Sequence, residues 1–168
     1  MTITEPDERW AELGRQECKV LAPYFRAVEH IGSTAVPGLP AKPIIDLMAA
    51  HEDLDDVNDD RLETFGYRLQ PATMPDRLWF KRENYDSLAF HLHVVPLEGW
   101  AVRNERLFRD YLLAHPDACT RYAALKSELM ERFGPGAAYT RGKTAFVQEI
   151  TDAARAELGL PSVPVWEE

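Results

Sequence analysis

The chain is 168 residues long, carries 28 Asp and Glu against 19 Lys and Arg for a formal net charge of −9, and is 45% hydrophobic and 28% charged. That length fits a single domain over residues 1–168, and the ordinary apolar and charged balance excludes a disordered chain, a coiled coil and a collagen-like repeat. Acid is spread along the chain with no basic stripe, which excludes a long nucleic acid as partner and leaves a small anion in one basic pocket.

The first twelve residues are acidic and lack an apolar stretch, so no signal peptide is expected, and no apolar run reaches the ~20 residues a membrane helix needs. Cys18 and Cys119 are far apart in the sequence, form no CxxC pattern, and read as buried free thiols. Together these features predict a cytoplasmic protein with no membrane partner.

Residues 7–21 are expected to form a helix, with Thr4 as N-cap, Pro6 in the first turn and Pro23 just past the end. Residues 25–31 predict a strand that runs into Gly32-Ser33, then a short helical turn over 34–36 stopped by Pro37-Gly38. The nearly continuous apolar run 43–49, interrupted by Asp46, predicts a central strand covered on both faces. Residues 53–65 read as a surface helix on which Asp55, Asp56, Asp59 and Asp60 form a solvated face.

Short strands are expected at 67–70, 78–82 and 89–95, followed by helices over 99–114, from His115-Pro116 to 133, and 139–158. Strands early and helices late define an α+β domain with a mostly mixed sheet, an N-terminal helix and C-terminal helices packed on it.

The segment from His30 to Asp46 carries most of the chemistry. A strand delivers Gly32-Ser33 to a helical turn, where glycine lets the backbone approach a ligand, free N–H groups attract phosphate oxygens, and the Ser33 and Thr34 hydroxyls can add hydrogen bonds. The spacing is not that of a Walker A loop, and a plain tight turn accounts for Gly-Ser-Thr equally well. Asp46 lies inside an apolar strand, where an unpaired carboxylate is costly, so it must find donors, a cation or a cleft.

In the strand 89–95, alternation places His91 and His93 on one face and Phe90, Leu92 and Val94 on the other. Two imidazoles with Asp46 suit Mn²⁺ or Zn²⁺ better than Mg²⁺; hydrogen-bonding histidines on a polar sheet face are the plainer alternative.

The chain has five lysines, Lys19, Lys42, Lys81, Lys126 and Lys143. Lys143 falls inside the apolar stripe of Tyr139, Phe146, Val147, Ile150 and Ala154, and Lys126 sits beside Tyr122, Leu129 and Met130. A lysine on an inward face either snorkels to the edge or meets an anion, a salt bridge being the structural option. Lys42 precedes the acidic strand and is placed to meet phosphate or to lie exposed in its loop. Arg77 and Arg82 flank a strand and are weaker ligand candidates. Trp10, Trp79, Trp100 and Trp166 are scattered and read as core or surface anchors. Ser33 has no assigned base, and no nucleophile elbow is present, which disfavours nucleophilic catalysis.

The run from Glu29 to Asp46 resembles the signature of the GrpB family, which belongs to the nucleotidyltransferase superfamily that includes polymerase beta. Ile31-Gly32-Ser33 followed by Asp46 matches the superfamily arrangement. The similarity continues through His91-Leu92-His93-Val94, Phe108-Arg109-Asp110-Tyr111-Leu112, Tyr122-Ala123-Ala124-Leu125-Lys126 and Tyr139-Thr140 with Lys143 and Phe146.

The resemblance implies a nucleotidyltransferase-like domain that moves a nucleotidyl group from a nucleoside triphosphate to a small-molecule or protein acceptor. It implies a divalent cation (Mg²⁺ or Mn²⁺, with Zn²⁺ as an option) on Asp46, His91 and His93, and phosphates on Gly32, Ser33, Thr34, Lys42, Lys126 and Lys143. Similar domains occur fused to dephospho-coenzyme A kinase, which points to nucleotide or coenzyme metabolism.

The superfamily pair Asp-x-Asp or Asp-x-Glu is here Asp46-Leu47-Met48, and a thioether is no ligand for a hard cation; Glu83 or Asp86 are the candidates to fill in. Two further readings stand beside transfer. One is a non-catalytic domain binding a nucleotide or phosphorylated metabolite; the other is a His-x-His metal-dependent phosphoester hydrolase.

Overall fold

The computed structural model describes residues 2–71, 74–84 and 87–165. Five strands, β1 (Ala27–Ile31), β2 (Ile44–His51), β3 (Arg68–Leu69), β4 (Leu78–Glu83) and β5 (Ala89–Pro96), form one sheet in the order β1-β2-β5-β4-β3. β2 and β5 run parallel and every other pair is antiparallel, so the sheet is mixed. Five helices complete the α+β fold: α1 (Arg9–Leu21), α2 (Asp59–Thr64), α3 (Asn104–Ala114), α4 (Pro116–Phe133) and α5 (Ala137–Glu157). No helix among the described residues is long and apolar enough to cross a membrane.

Strand alternation sorts the two faces of the sheet. Ile45, Leu47, Phe80, Phe90, Leu92 and Val94 point to a core closed by Trp10 and Leu21 of α1 and Leu62 of α2. The opposite parity, Asp46, Trp79, His91 and His93, lies on the face toward α3, α4 and α5. Those helices pack on one another through Phe108, Leu112, Tyr122, Phe146, Val147 and Ile150, with Val36 and Leu39 of the loop before β2 joining them. The stripe expected on the last helix is therefore buried, and Lys143 sits at its edge.

Several local expectations are corrected. Thr4 does not cap α1: it pairs across a β-bridge with Ala41, its hydroxyl donating to the Ala41 carbonyl oxygen, and Asp7 accepts from the Arg9 amide instead. The long-range bridge outcompetes the local cap. The run 43–49 forms the interior strand β2, paired with β1 and β5 and covered on both faces as expected, with β5 the middle strand of the five. The surface helix of 53–65 is broken into a 3-10 turn, Leu54–Asp56, and α2, which starts after Asn58 accepts from the Arg61 amide.

Asp55, Asp56 and Asp60 are exposed as a solvated face requires, while Asp59 is half-buried. The helix expected from 99 starts as a 3-10 turn, Trp100–Val102, after Gly99 at φ +77°, and α3 begins only at Asn104. Cys18 and Cys119 are free but only half-buried. Trp10 is a core anchor, whereas Trp166 lies outside the described residues.

Arg82 turns away from the histidine face. It meets Glu17 of α1 through two hydrogen bonds of 2.9 Å, with the Tyr67 hydroxyl donating to the same carboxylate. This buried cluster ties α1 to β4 and has no access to the opposite face.

Candidate functional site

β1 ends at Ile31, whose register partner is Asp46 of β2. Gly32 then adopts φ +71° and ψ −172°, a backbone conformation closed to other residues at little cost. A side chain there is also excluded by contact, since a Cβ on Gly32 would lie 2.7 Å from Asp46 Oδ2. The glycine thus lets the carboxylate lie directly against the turn that carries Ser33.

Thr34 holds that turn in place. Its hydroxyl donates to the Ile44 carbonyl oxygen at 2.8 Å and accepts from His30 Nε2 at 2.9 Å. Burial, opposed by Asp46 and helped by Arg109, pushes the His30 imidazole down to about 4, so it stays neutral and its Nε2–H is available to donate. The Thr34 hydroxyl is consumed in this lock and is not offered to a ligand.

Register places His91 opposite Asp46 and His93 opposite Met48, with Trp79 and Lys81 across from them on β4. His91 Nδ1 lies 3.5 Å from Asp46 Oδ1, and its ring meets Trp79 edge-on at 5.5 Å. His93 is more deeply set; burial lowers its affinity for a proton, and its Nδ1 and Trp79 Nε1 find no hydrogen-bond partner among the described residues.

The far wall comes from α4, α5 and the loop before β2. Lys126, 3% exposed, donates to the Pro40 carbonyl oxygen at 2.6 Å and lies 3.0 Å from Ser33 Oγ. Burial, then the neighbouring Lys143 and Lys42, bring its ammonium down to about 7. Lys42 and Lys143 each stand 4.9 Å from the centre of the Tyr139 ring. No ion pair joins Lys42 or Lys126 to a carboxylate among the described residues.

These walls enclose a cavity of about 430 Å³. Gly32, Ser33, Thr34, Lys42, Asp46, His91, His93, Lys126 and Lys143 all line it, although they come from five separate stretches of chain. Arg77 lines it too, but is held by Glu105 at 2.6 Å and Asp76 at 3.1 Å. Glu105 and the ring of Tyr139 were not singled out as site residues from the sequence. Glu105 has no distinguishing local pattern on α3, while Tyr139, in the same stripe as Lys143, carried a usable signal.

Among the described residues no group of three or more His, Cys, Asp or Glu side chains is placed to hold a metal ion. Met48, fully buried with Ile31, Val95 and Trp100, occupies the position of the second superfamily carboxylate. Glu105 is committed to Arg77, and Glu83 pairs with Lys81 at 2.6 Å outside the cavity, so it does not fill in. Asp86 lies outside the described residues. Among the described residues, Asp46 is left as the one lining carboxylate without an arginine partner.

A mixed sheet that brings a Gly-Ser turn against an acidic strand, roofed by helices, is consistent with the nucleotidyltransferase superfamily. The model of the GrpB protein family matches residues 1–153, and the chain belongs to that family. It is 35% identical over 158 residues to the glutamate-rich protein GrpB of Alkalihalophilus pseudofirmus, covering 85% of this chain and 89% of that one. It is 30% identical over 157 residues to the UPF0157 protein YqkA of Bacillus subtilis, aligning with 89% of this chain but only 46% of the length of YqkA. The crystal structure of the conserved protein GrpB from Enterococcus faecalis superposes with a TM-score of 0.80 at 28% identity, covering 94% of this chain and 99% of that one.

Proposed function

We propose that this chain binds the phosphate groups of a nucleotide or another phosphorylated small molecule in the cavity between the sheet and α3, α4 and α5. The observation that carries this reading is the convergence of Lys42, Lys126 and Lys143 on one cavity beside Ser33. Burial first, then the fields of Lys143 and Lys42, disfavour the Lys126 ammonium. A multiply charged anion relieves that repulsion, and a partly desolvated site strengthens each contact. Trp79 and His91, stacked edge to face at the cavity wall, supply an aromatic surface for the rest of the ligand.

Nucleotidyl transfer is the second reading, favoured by the Asp46 carboxylate lying against Gly32 at the head of the Ser33 turn. A thermal-shift titration with ATP, GTP, CTP, UTP and pyrophosphate, each with and without Mg²⁺ or Mn²⁺, separates the readings. Stabilisation without metal supports the phosphate pocket; a ligand at 100 times its Kd adds about 2.7 kcal/mol. Stabilisation only with metal supports transfer, and Asp46→Asn then abolishes turnover. Release of free phosphate instead of a transferred nucleotide marks the hydrolase. No shift with any of these ligands at millimolar concentration overturns the proposal.

A further inference from the structure

The nucleophile that lacked a base in the sequence has one in the fold. Ser33 Oγ and Lys126 Nζ lie 3.0 Å apart inside the cavity, on segments 93 residues apart in the chain. The lysine is almost fully buried, is fixed from its other side by the Pro40 carbonyl oxygen at 2.6 Å, and has no carboxylate partner among the described residues. Ser33 itself follows Gly32 at a sharp strand-to-turn corner, which presents its hydroxyl to the cavity.

We infer that Ser33 and Lys126 form a nucleophile–base pair that attacks the phosphorus of a bound phosphoanhydride or phosphoester. This rests on the reading that the cavity takes a phosphorylated molecule. As an ammonium Lys126 donates to Ser33 Oγ; once neutral, its lone pair accepts the Ser33 hydroxyl hydrogen while an N–H still donates to Pro40. As Oγ attacks, its proton passes to Nζ, the Oγ–P bond forms and the bond from phosphorus to the leaving oxygen breaks. The leaving oxygen keeps the electron pair and collects the proton from the Lys126 ammonium. Water or an acceptor hydroxyl then attacks the phosphorus of the phosphoserine ester and gives its proton to Lys126. The Oγ–P bond breaks, and Ser33 Oγ keeps the electron pair and takes that proton back from the Lys126 ammonium.

Burial, Lys143 of α5 and Lys42 of the loop before β2 all disfavour the ammonium, against the opposing fields of Cys119 on α4 and Asp46 on β2, and bring it down to about 7, where a neutral fraction serves this step. Lys42 and Lys143 remain to neutralise charge on the phosphoryl oxygens.

The test is covalent labelling by an alkyl fluorophosphonate, in which the P–F bond breaks and fluoride leaves, read by intact mass and peptide mapping. The expected result is one adduct on Ser33, none in Ser33→Ala, and a labelling rate that rises with pH and levels above about pH 7. Lys126→Arg keeps a cation in place but cannot act as a base, and it should slow labelling about 100-fold or more. Lys126→Met, checked for folding by circular dichroism, should behave alike. A folded wild-type protein that takes up no adduct, or a Lys126→Arg variant that labels at the wild-type rate, overturns the pair. ATP stabilisation measured on the same samples separates the failures: a shift without labelling sinks the pair alone, and labelling without a shift sinks the phosphate pocket alone.

Discussion

Gly32→Ala tests the link between the backbone turn and the carboxylate behind it. At φ +71° and ψ −172° an alanine is confined to a region essentially reserved for glycine, at a cost of about 1–3 kcal/mol. The added Cβ would also lie 2.7 Å from Asp46 Oδ2, 3.1 Å from its Cβ and 3.2 Å from its Cγ. The carboxylate can rotate, but the Asp46 Cβ is fixed by the register of β2 against Ile31, so part of this overlap stays as strain.

The sum is about 2–4 kcal/mol, the backbone contribution being the better defined. With a urea m-value of about 2 kcal/mol/M, that lowers the midpoint by about 1–2 M at unchanged m. Gly38→Ala is the internal control. Gly38 has φ +78°, yet nothing lies within 4 Å of a Cβ there, so it should lose only the backbone share, about 1 kcal/mol. Urea unfolding of both variants reads the contact with Asp46 together with the difference in backbone strain between the two turns. If Gly32→Ala loses no more than Gly38→Ala, the close approach of turn and carboxylate is refuted.

The Glu17–Arg82 pair predicts a strongly coupled double-mutant cycle. Glu17→Leu leaves the Arg82 guanidinium buried without its partner and should cost about 3–5 kcal/mol by urea unfolding, most of it recovered on adding Arg82→Met. A purely additive cycle refutes the buried-pair account. His30 predicts a pH slope: its folded pKa of about 4 lies below the ordinary 6.5, so between those values the unfolded chain holds a proton the folded one does not. Stability is then full above about pH 6.5 and falls by up to about 3 kcal/mol toward pH 4, a slope that His30→Gln should flatten in urea titrations at several pH values. Lys42→Ala and Lys143→Ala should each weaken pyrophosphate binding about tenfold and reduce its salt dependence, measured by calorimetry at two ionic strengths. Unchanged affinity in both variants removes the lysine cluster from the ligand's path.

Much of the architecture was legible because its signals are local. Pro-Gly punctuation and the apolar run around Asp46 marked the strand, and alternation in 89–95 placed both histidines opposite the core. The errors came where a distant partner overrode a local preference. Thr4 is a good N-cap by type, but Ala41 claims both its hydroxyl and its backbone. Thr34 looked like a phosphate donor in isolation, yet Ile44 and His30 take its hydroxyl. Arg82 was no such error: a weak ligand candidate by sequence, it lies on the core-facing parity with Phe80 and pairs with Glu17.

What the sequence by itself determined is therefore the set of faces: periodicity of two and of 3.6 dictates which side chains share a surface, because backbone geometry alone sets it. It also placed Met48 where a second carboxylate was expected. What a face meets is not a local property. Only the packing of α4 and α5 across the sheet brought Lys126 to Ser33, set Lys42 and Lys143 beside one tyrosine ring, and committed Glu105 to Arg77. Those contacts join residues tens of positions apart, and long-range tertiary packing, which no local pattern encodes, decides them.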